Sequence, residues 1–121
     1  MDDLVQWLGE QLDEDERIAR DCEGLMWWNH PENWVSAPQM CRVALAVHAG
    51  NRRHIVEHDP ARVLREIDAK RELIRRYEAM AADVLVMTGV DSILSEYRRV
   101  ILPSLALPYA DRPGYREEWR P

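Results

Sequence analysis

The stretch HIVEHDPARVLREIDAKRELIRR, residues 54–76, decides the fold. Asp59 followed by Pro60 reads as a helix start. An aspartate there accepts from an unpaired amide of the first turn, and a proline at the first helical position gives up an N–H that would have had no partner. Beyond it Val63, Leu64, Ile67, Ile74, Tyr77, Ala81 and Val84 recur at spacings of three, four and seven, which sets them on one face. The other face alternates in sign: Glu66 precedes Lys70 by four residues and Glu72 precedes Arg76 by four, the order that supports a helix. The pattern predicts a central amphipathic helix over 59–87.

Toward the N-terminus, an acidic helix is predicted over 1–22. Leu4, Val5, Leu8, Leu12 and Ile18 give a partial apolar stripe, and Asp2 and Asp3 suit the positive end of the helix dipole. Gly9 inside this helix costs about 1 kcal/mol relative to alanine, so tertiary contacts must hold it. Residues 25–47 contain Pro31, Pro38, Trp27, Trp28 and Trp34 without a helical period. Trp27-Trp28 and Trp34-Val35 flank a turn-like Asn29–Asn33 and predict a short antiparallel hairpin. Met40–Val47 is read as a strand from its length and from Val43, Leu45 and Val47 alternating with alanines. Gly50-Asn51 then leads into a short helical turn that runs through His58.

Toward the C-terminus, Thr88-Gly89 breaks the central helix, and Thr88 with Asp91 resembles a capping box. A last helix over 91–107 would bury Val90, Ile93, Leu94, Tyr97, Val100 and Ile101, with Pro103 kinking or ending it. The tail, 108–121, carries the turn Asp111-Arg112-Pro113-Gly114, and its Tyr109, Tyr115 and Trp119 are read as fastening it to the core. The fold class is mainly α with a minor β element (α+β). Three or four helices surround one small core in a single domain, 1–121, with the hairpin between helix one and the central helix.

The net charge of −6 is unevenly spread. Residues 1–24 hold nine acidic and two basic side chains, whereas 51–76 hold eight basic and five acidic ones. Interleaved acids make 51–76 a self-paired solvated face, which argues against nucleic acid as a partner. No apolar run reaches the ~18 residues a membrane span requires. The acidic start MDDLVQWLGEQ is the reverse of a secretory signal, so Cys22 and Cys41 are expected as reduced thiols in the cytosol.

Several patterns invite a chemical reading. His54-Ile55-Val56-Glu57-His58 matches H-x-x-E-H, in which two histidines one turn apart hold zinc and the glutamate acts as base. That chemistry needs one continuous helix and a third ligand, and Asp59-Pro60 follows at once, so the segment is expected to turn at His58. Cys22, His30, Cys41 and His48 lack the close pairs of a structural zinc site. No nucleophile elbow, P-loop or dinucleotide fingerprint can be written, and no cofactor is expected. Trp27, Trp28 and Trp34 remain. They either cap a core that has no phenylalanine or form a recognition surface.

HDPARVLREIDAKRELI together with LALPYADRPGYREEW resembles a family of short actinobacterial and actinophage proteins, a domain of unknown function. The likeness extends to the acidic start and the early tryptophans. The resemblance implies, for many members of that family, a short cysteine-bearing insert between the central helix and the tail. This chain has AMAADVLVMTGVDSILSEYRRVILPS there, so no metal site on such an insert carries over. The resemblance implies a bacterial or phage setting and brings no activity. The functional expectation is a non-enzymatic accessory protein that binds another protein through Trp27, Trp28 or Trp34. The alternatives are a metal-binding protein or hydrolase using His54, Glu57 and His58, or a homodimer along the central helix.

Overall fold

The protein is described by a computed structural model that covers residues 2–83 and 90–121. Val84, the Thr88-Gly89 break, the Thr88 half of the capping box and the Val90 side chain lie outside the described residues, as does the predicted continuation of the central helix over 84–87. The helices are α1 (Asp2–Arg20), α2 (Ala49–Glu57), α3 (Pro60–Ala82), α4 (Val90–Glu96) and α5 (Leu102–Ala106), the last two joined by a helical turn. The strands are β1 (Trp28–His30), β2 (Trp34–Ala37) and β3 (Cys41–Leu45), in an antiparallel sheet of that order. The fold is mainly helical α+β, as the sequence predicts: β1 and β2 form the expected hairpin, and the strand read over Met40–Val47 is β3. No helix among the described residues is long and apolar enough to cross a membrane.

The chain forms two compact units, Glu14–Ile67 and Met1–Asp13 together with Asp68–Pro121. In the first, Gly24 makes the exit from α1 with φ +74, a conformation that L side chains rarely adopt. A Cβ there would also sit 2.8 Å from the Pro38 Cδ. Val35 and Ala37 are fully buried on one side of the sheet. Arg52 of α2 donates to the Asn33 side chain at 2.9 Å and to the Ala46 and Val47 carbonyls at 2.6 and 2.8 Å, which closes the hairpin end. Asp59 caps α3, accepting from Arg62 N–H at 3.0 Å, with Pro60 next.

In the second unit Leu4, Leu8 and Leu12 are fully buried, four residues apart on one stripe of α1. Trp7 anchors the tail. Its indole N–H donates to the Pro113 carbonyl at 3.1 Å, and its ring packs on Tyr115 and Trp119 at 5.7 and 5.4 Å. Gly114, at φ +89, lets the turn approach: an added Cβ would lie 2.7 Å from the Trp7 Nε1. Tyr97–Ile101 widen into a π turn, with Leu102 N–H bonded to the Tyr97 carbonyl, immediately before Pro103.

Three expectations need correction. Ile18 is 48% exposed, because Ala19, eleven residues or three turns from Leu8, continues the stripe and is 4% exposed. Ile93 and Val100 are also exposed: Leu94 and Tyr97 hold the buried face, and the π turn shifts the phase so that Leu102, Pro103 and Ala106 follow. On α3 the observed pairs are Arg62–Glu66 at 3.0 Å and Arg75–Glu72 at 3.2 Å, while Lys70 reaches the Tyr109 hydroxyl at 3.4 Å.

Ile67, 2% exposed, and the buried Ile74 define the inward face of α3. Either one changed to alanine is expected to lower unfolding free energy by about 2–5 kcal/mol. Exposed Arg65→Ala should change it by less than about 0.5 kcal/mol. Urea denaturation of the three variants checks this, and equal effects would refute the assignment of faces.

Candidate functional site

The sheet register puts six side chains on one face. Trp28 pairs with Ser36 and Ser36 with Arg42; His30 pairs with Trp34 and Trp34 with Leu45. Arg42 and Leu45 share this face although three residues apart, because Val43 is an extra residue opposite the Val35–Ser36 link. Without that bulge, alternation would send one of them to the other side. The Arg42 guanidinium lies over the Trp34 ring, 4.5 Å from its centroid. Trp28 is 39% and Leu45 58% exposed, so two apolar side chains flank a cation already stacked on an indole.

Trp27 goes elsewhere. Its backbone N–H donates to the Asp59 carboxylate at 3.2 Å, and its side chain lines a cavity of about 310 Å³ with Ile18, Cys22, His58 and Val63. Its Nε1 is buried without a hydrogen-bond partner. Of the three predicted site residues, then, the sheet face brings together Trp28 and Trp34, and Trp27 lies apart from them. Reading by residue type passed over Arg42, the one charged residue in the otherwise apolar Met40–Val47. The W-x-S of β2 against the R-x-x-L of β3 is a usable signal only once the bulge is known.

The H-x-x-E-H segment does not lie on one helix. α2 ends at Glu57, and His58 caps it at φ −110, ψ 39. The His54 and His58 rings stack 4.2 Å apart, and His58 Nδ1 bonds the His54 carbonyl at 2.7 Å. Both rings and Glu57 are exposed. No group of three or more His, Cys, Asp or Glu side chains placed to hold a metal occurs among the described residues, so neither these three nor Cys22, His30, Cys41 and His48 form one. Both cysteines are free, and burial together with the neighbouring Glu23 carboxylate pushes the Cys41 thiol up, away from the thiolate a nucleophile needs.

The class these features define is a small α+β protein with an exposed aromatic and cationic sheet face. The chain belongs to a family of unknown function, DUF6221, whose model matches residues 1–121. Comparison with curated proteins and with solved structures returns no match.

Two outcomes follow. Purified protein is expected to hold less than stoichiometric zinc and to keep its melting temperature in a chelator; metal analysis beside a thermal melt decides, and tightly held zinc whose removal lowers the melting temperature would refute it. Asp59→Ala, which removes both the α3 cap and the Trp27 bond, should cost about 1–3 kcal/mol in urea denaturation.

Proposed function

We propose that this is a non-enzymatic accessory protein of actinobacteria or their phages, working in the bacterial cytosol by binding another protein through Trp28, Trp34, Arg42 and Leu45. The observation that carries the reading is the solvent-facing arrangement of Trp28 and Leu45 around the Arg42–Trp34 stack. Tryptophan and arginine dominate the energetics of protein interfaces, because large rigid rings lose little entropy when covered. A guanidinium already fixed over an indole has lost part of its rotamer freedom before any partner arrives. The host setting and the cytosolic location rest on the likeness of HDPARVLREIDAKRELI and LALPYADRPGYREEW to actinobacterial and phage proteins.

Trp28→Ala is expected to leave the melting temperature nearly unchanged while weakening partner capture by about 2 kcal/mol or more. Trp27→Ala should instead destabilise the fold by about 3–5 kcal/mol, and its binding loss should follow its unfolding. Affinity purification of tagged wild type and variants from an actinobacterial host, with thermal melts of each, separates the two. Full retention of every co-purifying protein by Trp28→Ala would refute the proposal.

A further inference from the structure

Gly9 sits mid-helix in α1, where glycine weakens the helix relative to alanine. A helix tolerates such a residue at that cost, and packing or function can give it a use. Packing supplies none: a Cβ built on Gly9 meets no atom within 4 Å. The open space is part of a groove within the unit formed by Met1–Asp13 and Asp68–Pro121. Its wider part, about 580 Å³, has Val5, Gly9, Tyr77 and Ala81 among its lining. Around these stand four carboxylates, Asp2, Glu10, Asp13 and Glu78, and no lysine or arginine lines this part among the described residues. A narrower part of about 250 Å³ continues along the same two helices, sharing Val5, Gly9, Asp13 and Glu78 and adding Leu12 and Ile74. Its two arginines are engaged, Arg71 with Asp13 at 2.7 Å and Arg75 with Glu72 at 3.2 Å.

We propose that this groove docks a cationic amphipathic helix from a partner protein. Apolar side chains of the visitor would cover Val5 and Ala81 above the buried Tyr77, and its lysines or arginines would face Asp2, Glu10 and Glu78, since Asp13 is already held by Arg71. Gly9 gives the visiting backbone close approach, a use that only a residue without a side chain serves. The length agrees: from Asp2 to Asp13, α1 rises about 16 Å, three turns of a bound helix. Charge selects the occupant, since an acidic rim attracts a basic helix and repels an acidic one.

The test uses the full chain and a fluorescein-labelled synthetic peptide of about 14 residues, leucine and lysine in amphipathic helical order, followed by fluorescence anisotropy. Saturable one-to-one binding that weakens with added salt is expected. Gly9→Leu should weaken it about tenfold or more by filling the groove. Gly9→Ala should raise the melting temperature yet bind at least about twofold more weakly, which keeps the test decisive if the leucine variant fails to fold. The double change Glu10→Gln, Glu78→Gln should weaken binding about fivefold at low salt, whereas Asp111→Asn with Glu118→Gln, outside the groove, should not. Trp28→Ala should bind the peptide as wild type does, which separates this site from the sheet face. Equal binding of a scrambled peptide, equal loss from charge removal in either place, or unchanged affinity in the Gly9 variants would overturn the proposal. Sedimentation showing a dimer that Gly9→Leu dissociates would overturn it as well, in favour of a second copy of the chain.

Discussion

The Asp59 carboxylate holds two segments that lie 32 residues apart in sequence, accepting from Trp27 N–H with one oxygen and from Arg62 N–H with the other. The second bond starts α3; the first fixes where the chain runs on its way into β1. Ala61 N–H donates to the Leu25 carbonyl at 2.9 Å, so the clamp has backbone support on the same two segments. With Trp27 held there, the neighbouring Trp28 begins β1 on the sheet face that carries Trp34 and Arg42. One ionised side chain therefore both caps a helix and determines which tryptophan is displayed. Charge-assisted bonds of this kind are stronger than neutral ones, and a carboxylate can serve two donors at once.

Much of this was legible in the sequence because it is local. The Asp59-Pro60 start is chemistry of adjacent residues, and so is the tail turn, where Tyr115 N–H donates to the Arg112 carbonyl at 3.3 Å around Pro113-Gly114, one residue beyond the Asp111–Gly114 window. The aromatic tail shows in its composition, although its anchor, Trp7, does not: the indole lies beside the leucine stripe and becomes central only when Pro113 and Gly114 arrive. Long-range geometry was not legible. Nothing near Trp27 announces that Asp59 will accept from it, and nothing in CRVAL announces that Val43 bulges and turns Arg42 and Leu45 to one face. The misplaced Ile18 has a simpler origin. A stripe extrapolated by residue type preferred isoleucine, whereas three full turns from Leu8 lead to alanine.

Two surface features differ in physical kind. The sheet face is convergent: its guanidinium is stacked on an indole, and large apolar groups lie on either side. The α1–α3 groove is defined by small residues and by carboxylates, so its selectivity would be electrostatic and sensitive to salt. Each lies wholly within one of the two compact units. A substitution in one surface can therefore be read without assuming anything about the other.

The closure of Trp7 on Pro113 joins residues 106 positions apart, and Arg116 reaches Asp3 at 3.2 Å. The unit to which they belong is discontinuous in the chain, whereas Glu14–Ile67 is one uninterrupted stretch. Synthesis from the N-terminus thus imposes an order. The continuous unit can assemble while translation is still under way, but the indole of Trp7 is made early and waits, uncovered by its eventual neighbours, for almost the entire remaining chain. Contacts of such sequence separation form slowly, because the loop entropy is lost before the contact is gained. For that interval the nascent protein presents a tryptophan and a leucine stripe that the finished molecule buries, which is the kind of surface molecular chaperones hold.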